Sequence, residues 1–189
     1  MTTALLVTHL CGVALLFVMI SIEVVALVGA PRAVDVAQLR AALYAAPATE
    51  VLAPVATVLI VVSGVSMAMT ISGVGITKGW VLVSLVVTLI LALTGTLVQG
   101  RHVKAMHASA RRLPEGPLPE SLAAMTRDRR WHLTAWGSVG MAFAFLFIMV
   151  AEPTLAGAVA GLLVGILVGT GAGSLMLSRA SATAAPSSA

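Results

Sequence analysis

Five side chains carry most of the chemistry open to this sequence: His9, Glu23, His102, His107 and His132. Glu23 is the only acidic residue deep inside an apolar segment, about seven residues (~10 Å) from the segment's basic end. A carboxyl in lipid is costly and by default marks a functional or a buried site. A neutral, hydrogen-bonded acid is the expected form, serving either as a proton or cation site or as a structural hydrogen bond. His9 lies on the same segment, fourteen residues earlier. That gap leaves the two within roughly 40° of one helix face but ~21 Å apart along it, so they cannot form a catalytic pair. His102 closes one apolar segment and His132 opens the next, so antiparallel packing could bring them together. Paired histidines on neighbouring helices suit axial haem ligation or a metal site. The plainer role for His102 and His107 is interfacial, and His9 sits at the opposite membrane surface. No nucleophile–base triad, phosphate-binding glycine loop, zinc motif or nucleotide fingerprint occurs, so no catalytic residues are assigned.

The elements that must position these groups follow from composition. Of 189 residues, 59% are hydrophobic, 10% charged and 4% aromatic. A soluble domain carries about 25% charged residues, so this chain cannot cover a water-facing surface. A bilayer core of ~30 Å needs roughly 20 apolar residues per helical span. Five stretches qualify: 4–30, 51–76, 79–98, 133–151 and 154–177. None alternates as a strand does, and lipid demands an internally satisfied backbone. The expected architecture is an all-α polytopic membrane bundle over 1–178, with four core helices, a fifth rich in glycine, and a disordered tail over 179–189. The first span lacks a basic start, and Pro31 follows a would-be cleavage site, so it reads as a retained span. Cys11, the single cysteine, permits no intrachain disulfide.

Ten of the eleven basic residues lie in 31–50, in the connection after the third span, or at Arg179; only Lys78 lies on the other side. Under the positive-inside rule the amino terminus is outside and the carboxy terminus in the cytoplasm of a bacterial cell. The net charge of +4 is therefore a topology signal, and no aromatic-interleaved basic patch points to nucleic acid. Val36, Leu39 and Leu43 recur at helical spacing and predict a short helix at the cytoplasmic interface. Residues 101–132 form a helical hairpin broken at 113–117 by prolines and glycine. Its second helix is expected to run from Ser121 through Arg130 into the fourth span, and its basic faces suit anionic headgroups. Trp80, Trp131 and Trp136 read as interfacial anchors. Gly73, Val74 and Gly75 form the turn between the second and third spans.

In the fifth span Gly157, Gly161, Gly165, Gly169 and Gly173 recur every fourth residue. Such a groove lets another backbone approach closely. It serves either packing within the chain, or a homo-oligomer or partner membrane subunit.

Several short stretches carry a resemblance. Thr8-His9-Leu10-Cys11-Gly12-Val13, Val62-Ser63-Gly64-Val65, Gly79-Trp80-Val81 and Met149-Val150-Ala151-Glu152-Pro153 resemble an uncharacterised bacterial family of small four-helix integral membrane proteins. That family is distantly similar to the copper-resistance D and HemJ-type protoporphyrinogen oxidase families. The similarity covers about residues 1–153, with the fifth span an addition. It implies haem b binding through His9, which occupies the position of a first-helix haem-binding histidine. The third-helix lysine used in HemJ-type proteins has no counterpart here, because Lys78 lies just outside the span, which argues against porphyrinogen oxidation. Three functions follow: haem or metal binding through His9, an accessory subunit docked through the fifth helix, and a small proton- or cation-coupled transporter using Glu23.

Overall fold

The computed structural model describes residues 2–70 and 75–183, and the regular elements among them are all helical. In chain order they are α1 (Thr2–Gly29), a 3-10 turn (Ala30–Arg32), α2 (Val36–Ala42), α3 (Ala46–Thr70) and α4 (Gly79–Thr94). A π-helical turn (Gly95–Gly100) then leads into α5 (Arg101–Arg112), followed by α6 (Glu120–Thr126), α7 (Arg129–Ala151) and α8 (Leu155–Thr183). Five of the helical runs are long and apolar enough to cross a membrane. Of the expected turn at Gly73, Val74 and Gly75, only Gly75 is among the described residues. α8 continues to Thr183, past the expected boundary at 178, and 184–189 lie outside the description.

Two tightly packed helix pairs, α1/α3 and α7/α8, form the bundle, and α4 bridges them by packing on α3, α7 and α8. Glycine sets both seams. A methyl group on Gly12 would lie 2.9 Å from Ile60 Cγ1 and 3.0 Å from the Ile60 backbone nitrogen. One on Gly140 would lie 2.0 Å from the Gly165 carbonyl oxygen. These contacts trade helix propensity, about 1 kcal/mol per glycine, for close dispersion contact along the helices. α7 is the axis of the bundle: half of its most apolar stretch is buried, against 11% for α8. Val25, Val58, Leu89, Phe147 and Leu167, one from each spanning run, are more than half exposed and form an apolar outer surface. That distribution inverts the soluble pattern and suits lipid. Glu152, at φ 45° and ψ 48°, ends α7 in the left-handed region, and Pro153 follows, so α8 turns back antiparallel.

The basic end carries a compact cap. Val36, Leu39 and Leu43 are buried, and the two leucines join a cluster with Met106, Ala110, Leu122 and Trp131. The apolar face of α2 thus docks on protein, where an interfacial helix would face lipid. Arg40 fixes the arrangement by donating to the carbonyls of Ala110 and Leu113 at the end of α5. Gly116, at φ 154°, shapes the loop that pairs its carbonyl with the Val36 N–H. The hairpin's second helix is not continuous into the fourth span as the sequence suggests. α6 stops at Thr126, and the Asp128 carboxylate accepts from the Arg130 and Trp131 N–H groups, starting α7 afresh. Asp128→Ala should therefore lower unfolding stability by about 1 kcal/mol. Thermal unfolding in detergent checks this, and an unchanged midpoint would mean the cap is dispensable.

Candidate functional site

A cavity of about 420 Å³ lies between α1, α3, α4, α5 and α7, running from mid-bundle at Leu16 and Phe145 to the basic end at Lys104 and His107. Its exposed wall is mostly apolar, from Leu, Ile, Ala and Phe among others, but polar and charged groups also line it, including Glu23, Glu50, Gln99, Arg101, Lys104 and His107. Sites for small molecules have this size and combine apolar walls with polar groups.

Glu23 stands on the α1 wall of the cavity. Its Oε1 atom is buried and has no hydrogen-bond partner. An orphan carboxyl oxygen costs about 1–3 kcal/mol, more if charged, so a proton, a donor or a cation is required there. The helix places it by simple periodicity: Ile20, Glu23 and Leu27 share one face, and Ile20 and Leu27 are buried.

Opposite Glu23, the cavity wall passes through the π-helical turn. The extra residue per turn leaves Gly95, Thr96, Gln99 and Gly100 on the lining, and π turns inside helices gather at functional sites. Gly100 is required by close approach, since a methyl group there would sit 2.9 Å from the Gly95 carbonyl oxygen. Gln99 is buried, and its amide donates to Ser138 Oγ at 2.7 Å, joining this turn to α7. Thr88 and Thr96 donate to the Ser84 and Ala92 carbonyls, at 2.8 and 2.7 Å, which leaves their oxygens as acceptors. At the basic end, Lys104 and Glu50 form a 3.0 Å ion pair across the mouth, between α5 and α3. Both are exposed, so the pair contributes little to stability.

His9 has a different task. Its Nδ1 lies 3.2 Å from the Ile60 carbonyl oxygen and 3.1 Å from Ser63 Oγ. Because a carbonyl only accepts, Nδ1 carries the proton, and Ser63 passes its own to the Leu59 carbonyl. A methyl group on Gly64 would meet His9 Cε1 at 3.2 Å, so the imidazole is clamped on α3. An iron ligand needs its second nitrogen facing an open slot. His9 Nε2 is buried with no hydrogen-bond partner among the described residues, but unlike Glu23 the residue does not line the cavity. The residues around His9 therefore do not fit a haem group, and the imidazole acts as a strut between α1 and α3. His9→Ala should cost about 2–3 kcal/mol of unfolding stability, whereas Cys11→Ala, at an exposed position, should leave it unchanged. Equal midpoints for the two variants would count against the strut.

His102 and His132 do come close, but not as a ligand pair. The Nε2 atoms of His102 and His132 lie 3.0 and 2.9 Å from the carbonyls of Met125 and Thr126, so both donate into the end of α6. Both rings contact the Trp131 indole, at centroid distances of 5.1 and 4.7 Å. Trp131 and Trp136 are buried, which corrects their assignment as membrane-interface anchors. Their rings pack in the core because α7 is the central helix. Among the described residues no group of three His, Cys, Asp or Glu side chains could hold a metal ion.

The glycine groove of α8 is filled by α7 of the same chain. Gly165 faces Gly140 and Ala144, Gly169 faces the Trp136 carbonyl, and Gly173 faces the Trp136 ring. Gly161 makes ordinary contact with Phe147, and Gly157 meets only its own turn at Pro153 and Thr154.

Sequence reasoning found Glu23 but missed Gln99, Ser138, Thr88, Thr96 and the π turn. The one available signal was the density of hydroxyl, amide and glycine residues over 94–100 in an otherwise apolar run.

The fold and these buried polar groups define a multi-pass helical membrane protein with an internal cavity. Comparison with protein-family models, with curated proteins and with solved structures finds no match to this chain.

Proposed function

We propose that this membrane protein binds a small lipophilic ammonium compound in the cavity, exchanging it for a proton on Glu23. The observation that carries this reading is the orphan Oε1 of Glu23 on the wall of a 420 Å³ apolar cavity. An isolated carboxylate is too costly to bury, so the unfilled site holds its own proton. An ammonium group supplies the missing charge and donor, while the apolar walls take the hydrocarbon body. The hydroxyl oxygens of Thr88 and Thr96 accept from the remaining N–H groups. The protein lies in the bacterial cytoplasmic membrane with its basic end, and the mouth of the cavity, toward the cytoplasm, as the distribution of Lys and Arg favours. Binding coupled to a proton in this way is the first half of a proton-coupled transport cycle.

Titration calorimetry of the detergent-purified protein with phenylbutylamine tests this. The amine stays cationic from mildly acidic to mildly alkaline solution, so only the protein site titrates. Protons compete for Glu23, hence affinity should fall as the solution is acidified. Affinity that does not change with pH would contradict the exchange.

A further inference from the structure

A second site lies at the basic end, independent of the cavity that holds Glu23. Gly173 lets α8 close on the Trp136 ring, since a methyl group there would come 2.7 Å from Trp136 Cδ1. Beyond that contact α7 and α8 leave a cleft of about 340 Å³, lined by Arg129, His132, Leu133, Ser174, Leu177 and Ser178.

The groups on its walls are complementary to a ligand that joins an anion to hydrogen-bond donors. Arg129 is exposed and pairs with no carboxylate among the described residues, so it offers a free guanidinium. His132 is only 1% exposed. Its Nε2 proton is committed to the Thr126 carbonyl, so its Nδ1 keeps a lone pair, which is buried without a donor. The hydroxyls of Ser174 and Ser178 donate to the carbonyls of Thr170 and Leu175, at 3.0 and 2.9 Å, leaving their oxygens as acceptors. The cleft therefore presents one cation and three acceptors. An anion without donors would satisfy Arg129 and leave His132 Nδ1 orphaned. A zwitterionic choline head brings no N–H or O–H at all. A phosphate group carrying a hydroxylated alcohol satisfies both sides: phosphate oxygens on Arg129, hydroxyl protons on His132 Nδ1 and the serines. Leu133 and Leu177 line the apolar side, and basic clefts between helices at this depth hold lipid headgroups.

We propose that the α7/α8 cleft is a binding site for a glycerol phosphate group, phosphate on Arg129 and hydroxyl on His132. The group comes either from the head of phosphatidylglycerol or from soluble glycerol phosphate.

The test is native mass spectrometry of the full chain released from micelles containing equal phosphatidylglycerol and phosphatidylcholine of matched acyl chains. Wild type should retain phosphatidylglycerol in clear preference. Arg129→Gln, an exposed change, should lower that retention about tenfold and leave phenylbutylamine binding at Glu23 intact. Ser178→Ala gives a second, milder loss. Adding soluble glycerol phosphate separates the sources. Displacement of the lipid shows that the free head suffices, and retention shows that the lipid is the ligand. Equal retention of the two lipids by wild type, or undiminished phosphatidylglycerol on Arg129→Gln, would overturn the site.

Discussion

Gly169→Ala should disrupt the α7/α8 pair, while Gly171→Ala, two residues away on the same helix, should be harmless. A methyl group on Gly169 would lie 2.2 Å from the Trp136 carbonyl oxygen and 3.1 Å from Gly140 Cα. Neither neighbour is a side-chain tip that can swing aside. Both belong to the backbone of α7, so relief requires the helices to separate along their shared seam. Overpacking of a tight core costs about 1–3 kcal/mol when side chains can adjust. With backbone on both sides, a loss of about 3 kcal/mol or more is expected, and Gly140→Ala should match it. Gly171 has nothing within 4 Å, so its methyl group meets no obstacle and gains up to about 1 kcal/mol of helix propensity. Unfolding midpoints in detergent or mixed micelles check the contrast. Similar values for Gly169→Ala and Gly171→Ala would show that the seam is not set by backbone approach.

Glu23→Gln should reduce phenylbutylamine affinity at least tenfold, roughly 1.4 kcal/mol or more, and remove its dependence on pH. Glutamine keeps the size of the side chain, so the cavity and the α1 packing persist. It carries no charge to pair with an ammonium and no proton to release. Its amide brings its own donors to the place where the ligand's donors belong. Glu23→Asp keeps the carboxyl, withdrawn by one methylene, and should retain weaker, still pH-dependent binding. Wild-type affinity in Glu23→Gln would place the cation elsewhere. Stability should change little in either variant, because the buried oxygen has no partner to lose.

The five spans and the isolation of Glu23 inside one of them were legible because both rest on scarcity. A charge in a long apolar run is conspicuous, and apolar length alone reports a membrane helix. The cavity was not legible. Thr88 and Thr96 satisfy their own hydroxyls one turn back, so hydroxyl residues of this kind recur in spanning helices without marking a site. The π turn is tied to α7 through Gln99 on Ser138, a tertiary fact. His9 misled for a related reason: a histidine in lipid looks like a ligand until Ser63 and Gly64 are seen to clamp it. The tryptophans misled because Trp131 and Trp136 stand near a span end in sequence, yet on the central helix that position is enclosed by α2, α5 and α8. The glycine stripe left two partners open, and only the packing of Gly140 and Ala144 chose α7.

Exchange of a proton for an ammonium compound is best tested by counting the protons. Phenylbutylamine is added to the purified protein in weakly buffered detergent solution while proton release is followed by a pH indicator. About one proton released per amine bound, and none from Glu23→Gln, is the predicted result. Amine bound by wild type with no proton released would contradict the account.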